Sequence, residues 1–167
     1  MGHKEHKAHA PAHVRCWIIT VSDTRTPETD KSGKLIRDLL HSAGHATAGY
    51  QIFPDEPSRI RDALNTIGSQ ESAGAVILTG GTGISRRDGT VDVAESLFEK
   101  RLDGFGELFR SLSYAEIGSS AMLSRAAAGT FQNKVLFCLP GSTAGVRLAM
   151  EKLILPELGH LIGELSR

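Results

Sequence analysis

Residues 73–90 read "AGAVILTGGTGISRRDGT". The first seven, AGAVILT, form an apolar run of strand length, suited to a strand buried on both faces. Glycines follow at once, then two arginines and an Asp-Gly pair. A buried strand opening into a glycine-rich turn suits an α/β protein with a parallel sheet.

Working outward, the alternation repeats on both sides. "VRCWIITVS" from Val14 and "KVLFCLP" from Lys134 are two further buried strands, and "ATAGYQIF" from Ala46 is a weaker one. "GKLIRDLLHSAGH" sets Leu35, Ile36, Leu39, Leu40 and Ala43 on one helical stripe and stops at Gly44. "PSRIRDALNTIGS" spaces Ile60, Ala63, Leu64 and Ile67 at helical intervals, with Pro57 suited to the first turn. "TVDVAESLFEKRL" reads as a helix over 90–102, with Thr90 as N-cap and Asp92 in its first turn. The stretch 104–129 reads as short helical pieces broken at Gly118 and Gly129. "TAGVRLAMEKLIL" is a helix interrupted at Pro156, beyond which Leu158, Leu161, Ile162 and Leu165 continue the stripe. Strands separated by helical crossovers predict a largely parallel sheet with helices on both faces.

In such sheets ligands bind beyond the carboxyl ends of the strands. That rule selects the loops after Ser22, Thr79 and Leu139. Gly80, Gly81, Thr82 and Gly83 allow backbone amides to close on an anion, with the Thr82 hydroxyl and the next helix's positive end to assist. The loop is neither a Walker A sequence nor a dinucleotide fingerprint, since Arg86 stands where the third glycine belongs. It is equally readable as a plain turn. Asp88 and Asp55 each follow a strand, and two acids beside a phosphate cradle suit Mg²⁺. Alternatively, Asp88-Gly89 is an ordinary turn, and Asp55 or Glu56 caps the helix at Pro57. Pro140, Gly141 and Ser142 open the last helix as a second anion site or a simple cap. Ser22 and Asp23 begin a polar lid or specificity loop. Arg86 and Arg87 receive no role.

Nineteen basic and nineteen acidic side chains cancel, which argues against a dedicated nucleic-acid binder. Cys16 and Cys138 sit inside apolar runs without CxxC spacing, as reduced, buried thiols do. No apolar segment is long enough to span a bilayer, and no signal-peptide core is present, so the expected location is the cytoplasm. There is no G-x-S-x-G sequence and no cysteine with a base partner, so phosphate chemistry is favoured over acyl transfer. Residues 1–13, with His3, His6, His9 and His13, read as a mobile tail, and 14–167 as one domain.

Taken in order, "TVSDTRTPETDKSG", "ILTGGTGISRRDGTVDVAE", "GFGELFRSLSYAEIGSSAMLSRAAAG" and "LPGSTAGVRLAMEKLILPELGHL" resemble the molybdenum cofactor biosynthesis protein B family. They also resemble the related molybdopterin adenylyltransferases, including plant and gephyrin G-type domains. The resemblance covers nearly the whole chain from Val14. It implies a three-layer α/β/α fold and a homotrimer or homohexamer, with other proteins of the cofactor pathway as possible partners. It further implies transfer of AMP from Mg-ATP to the terminal phosphate of molybdopterin, releasing pyrophosphate.

On that resemblance Asp55 and Asp88 are the catalytic and Mg²⁺-binding acids. Gly80, Gly81, Thr82 and Gly83, with Ser22 and Asp23, take the nucleotide phosphates, and Pro140, Gly141 and Ser142 take molybdopterin. The chain departs from the family in reading Gly89-Thr90-Val91-Asp92-Val93 after Asp88, where Val-Thr-Pro-Glu-Ala is usual. Some B-type members lack the catalytic acids; both are present here. A non-catalytic molybdopterin carrier or scaffold of the same fold is the alternative, and a pyrophosphatase-like enzyme a third.

Overall fold

The computed structural model describes residues 10–167, so His3, His6 and His9 lie outside the described residues. The strands are β1 (Arg15–Val21), β2 (Ala46–Phe53), β3 (Ala75–Thr79), β4 (Lys100–Arg101), β5 (Ala127–Phe131) and β6 (Lys134–Leu139). The helices are α1 (Lys31–Ser42), α2 (Pro57–Gly68), α3 (Thr90–Leu97), α4 (Asp103–Ile117), α5 (Thr143–Ala149) and α6 (Leu155–Leu165). The six strands form one sheet in the order β2-β1-β3-β6-β5-β4. β2, β1, β3 and β6 run parallel, while β5 is antiparallel to both its neighbours.

Period-2 alternation divides the core into two faces. Cys16, Ile18, Ala75, Ile77, Val135 and Phe137 pack toward α1, α4, α5 and α6. Ile19, Val21, Val76, Leu78, Leu136 and Cys138 pack toward α2 and α3. The result is a three-layer α/β/α arrangement with β3 buried along its whole length. Burial pushes the thiols of Cys16 and Cys138 up to about 12, so both stay protonated near neutral pH. No helix among the described residues is long and apolar enough to cross a membrane.

Four local expectations need correction. α3 ends at Leu97 rather than Leu102, because Phe98 is extended and the chain turns into the short edge strand β4. Thr90 is not the cap: Gly89 holds that position and Thr90 is the first helical residue. The 104–129 stretch contains one fifteen-residue helix, a 3₁₀ turn over Gly118–Leu123, and the unforeseen strand β5. Gly118 (φ +65°) does end a helix, whereas Gly129 lies inside a strand. β5 joins β6 through Gln132 and Asn133, with φ of 44° and 58°, the double positive-φ geometry of a two-residue hairpin. Ahead of Pro156 the helix widens into a π turn over Met150–Ile154, so the helical path continues into α6 despite the proline.

Candidate functional site

β1, β3 and β6 are adjacent, so the three loops chosen from the sequence emerge side by side. They are also stitched together. The Gly80 N–H donates to the Leu139 carbonyl at 3.0 Å, and the Thr79 hydroxyl to the Pro140 carbonyl at 2.7 Å. The Gly141 carbonyl accepts from Ser32 Oγ at 2.8 Å and Arg25 Nη2 at 2.9 Å. β2 flanks β1 and brings Asp55 to the same edge, where its N–H donates to Asp23 Oδ1 at 3.2 Å.

Gly80 and Gly81 take φ of +97° and +66°, so this turn requires glycine. A Cβ on Gly81 would stand 2.1 Å from Thr90 Oγ1 and 2.9 Å from Asp55 Oδ2. One on Gly83 would stand 2.7 Å from Asp88 Oδ2. The two acids therefore pack against the same glycine loop, two residues apart along it.

Each acid has a local anchor. Asp55 Oδ1 accepts the Gly89 N–H at 3.4 Å, which places the carboxylate at the positive end of α3. Asp88 Oδ2 accepts the Ser85 N–H at 2.8 Å and so closes its own turn. Neither Asp55 nor Glu56 caps α2: Glu56 occupies the N-cap position without a side-chain bond and pairs with Arg59 instead. Burial raises the Asp55 pKa, the Gly89 N–H opposes that, and the charges of Asp88 and Asp23 push it up further. A site that crowds carboxylates in this way suits a cation.

Among the described residues no cluster of three or more His, Cys, Asp or Glu side chains is placed to hold a metal. Two acids alone fit Mg²⁺ only in company with substrate phosphates, which is its usual mode of binding. The helix ends are partly committed. The Thr90 N–H donates to the Gly81 carbonyl at 3.2 Å, and the Ser142 hydroxyl caps α5 by accepting the Gly145 N–H. Ser22 Oγ accepts the N–H groups of Thr24 and Arg25 and shapes the first loop, and Thr82 is buried. Arg87 pairs with Asp23 at 2.8 Å, an exposed bridge worth about 0–1 kcal/mol.

Three residues escaped the sequence reading of the site. Arg125 fastens the glycine loop: Nε donates to the Gly83 carbonyl at 3.0 Å and Nη2 to the Asp88 carbonyl at 2.8 Å. Its fork also holds both oxygens of Asp92 at 3.0 Å, and that bond keeps the Asp92 carboxyl below the ordinary carboxylate range. Asp30, buried, accepts from Thr20, Tyr50, the Gly33 N–H and Arg25. Burial works to raise its pKa, but these bonds outweigh it and the net shift is downward. Thr90 is the third. Among the described residues its Oγ1 alone is a buried side-chain polar atom without a hydrogen-bond partner, a state that costs about 1–3 kcal/mol.

A cavity of about 620 Å³ opens at the other end of the sheet, around His13, Arg15, Gly74 and Lys134. It has neither the glycine loop nor an acid pair, so the candidate chemistry is assigned to the carboxyl edge.

Fold and edge together define the class: a three-layer α/β protein whose glycine loop and acid pair crown a parallel sheet. Residues 17–160 match the family described as "Probable molybdopterin binding domain". The chain belongs to this family and serves molybdenum cofactor biosynthesis. It is 54% identical over 164 residues to the molybdenum cofactor biosynthesis protein B of Bacillus cereus, covering 98% of this chain and 97% of that one. A crystal structure of a molybdenum cofactor biosynthesis protein B superposes with a TM-score of 0.91 at 54% identity, covering 95% of this chain and 99% of the other. The tungsten cofactor synthesizing protein MoaB of Pyrococcus furiosus superposes with a TM-score of 0.84 at 38% identity, over 95% and 100% of the two chains.

Proposed function

We propose that the protein is a Mg-ATP-dependent molybdopterin adenylyltransferase. An oxygen of the terminal phosphate of molybdopterin attacks the α-phosphorus of ATP. The bond from that phosphorus to the α,β-bridging oxygen breaks, and pyrophosphate leaves. The attacking phosphate is already ionised near neutral pH, so no strong base is required.

The observation that carries this reading is the placement of Asp55 and Asp88 against one glycine loop at the strands' carboxyl edge. Asp55 and Asp88 would hold Mg²⁺, which neutralises phosphate charge when bound. Gly80, Gly81, Thr82 and Gly83 would admit the nucleotide phosphates close to the backbone, with Ser22 and Asp23 at the rim. Pro140, Gly141 and Ser142, beside Gly80, would face the pterin substrate. Residues 14–167 would act as one molybdopterin-binding domain. Self-association into a trimer or hexamer would use the apolar side chains that α4 and the following 3₁₀ turn expose.

Asp55→Asn and Asp88→Asn test the assignment. Each is expected to lower AMP transfer by roughly a hundredfold or more while molybdopterin still binds. Retention of near-normal transfer in either variant would remove that acid from the reaction.

A further inference from the structure

The buried Thr90 hydroxyl has no hydrogen-bond partner. The residue is 0% exposed, and its N–H is held by the Gly81 carbonyl at 3.2 Å. A threonine inside a helix ordinarily bonds its hydroxyl to the carbonyl one turn back. As the first residue of α3, Thr90 has no helical carbonyl behind it. Its Oγ1 instead meets the space that glycine leaves open at position 81, and Asp55 Oδ2 borders the same space. Asp55 spends Oδ1 on a long 3.4 Å bond to the Gly89 N–H. A valine would fill the Thr90 volume without leaving an orphaned hydroxyl, so packing does not account for threonine here.

We infer that Thr90 is a positioning residue for Asp55: when the site takes up metal-bound nucleotide, its hydroxyl donates to Asp55 Oδ2 and fixes that carboxylate's orientation. The inference rests on the adenylyltransferase reading of the site. It makes Gly81 a spacer between hydroxyl and acid. It also explains why a buried polar atom can be left unsatisfied before the ligand arrives: the bond is reserved for the loaded state.

Thr90→Val and Thr90→Ser test this in the full chain, with Mn²⁺ standing in for Mg²⁺. Thermal unfolding is measured without ligand, and Mn²⁺-ATP binding is followed by electron paramagnetic resonance. Thr90→Val is expected to unfold at or above the wild-type temperature, yet to bind Mn²⁺-ATP roughly tenfold more weakly. Thr90→Ser, which keeps the hydroxyl, is expected to restore most of the affinity. Equal affinity in wild type and Thr90→Val overturns the inference and leaves the enzymatic reading intact. A clear loss of ligand-free stability in Thr90→Val also overturns it, since the hydroxyl would then already have a partner. If the wild type itself binds no Mn²⁺-ATP, the adenylyltransferase reading falls and takes the inference with it.

Discussion

Asp88 forms the turn that the sequence offered as the plainer of its two readings, and its carboxylate lies where the other reading would need it. It closes the turn through the Ser85 N–H, and its carboxylate also stands against Gly83 in the proposed phosphate loop. That Asp55 and Asp88 would meet at one edge was legible because each follows a strand, and strand ends converge in a parallel sheet. Arg125 was not, because its partners Gly83 and Asp88 lie 42 and 37 residues away in the chain. Nothing in "LSRAAAG" marks the arginine as a clamp. Its planar fork meets Gly83, Asp88 and Asp92 together, a geometry that a lysine ammonium cannot copy. Arg125→Lys is therefore expected to lower AMP transfer by roughly ten- to a hundredfold while the far-ultraviolet circular dichroism stays unchanged. Full activity in that variant would mean that the loop holds its shape without the clamp.

Among the elements, the parallel strands were readable because Val, Ile and Leu dominate them, and β5 was hidden because Ala127, Ala128 and Gly129 do not look like a strand. Its place is set by tertiary packing. β4 and β6 supply the hydrogen bonds on both sides, and the Phe98 ring lies over Gly129, where a Cβ would come within 2.4 Å of it. Phe98 is also the extended residue at which α3 ends, so the early end of that helix and the hidden strand meet at one side chain. Gly129→Val is expected to destabilise the protein by about 1–3 kcal/mol through overpacking, read as a shifted midpoint in urea unfolding. An unchanged midpoint would show that Phe98 can move aside at no cost.

For the whole molecule, the three-layer plan follows from alternating strands and crossovers, but the surface that would join copies of the chain was not legible. Apart from Ile84 beside the glycine loop, the large exposed apolar side chains among the described residues fall on α4 and the 3₁₀ turn: Leu108, Tyr114, Ile117, Met122 and Leu123. The proposed self-association would use these side chains, since a concentration of large exposed apolar groups suits a contact between chains. Light scattering of the purified protein is expected to give the mass of a trimer or hexamer, and Met122→Glu with Tyr114→Glu to reduce it; a monomeric wild type would contradict that expectation. The central claim, however, is chemical. Its most direct test incubates wild-type protein with molybdopterin, ATP and Mg²⁺, with pyrophosphate and adenylylated pterin measured together. The account predicts equal amounts of both products, and neither when molybdopterin is omitted. Bound molybdopterin with no adenylylated product, or pyrophosphate released without the pterin, would contradict it.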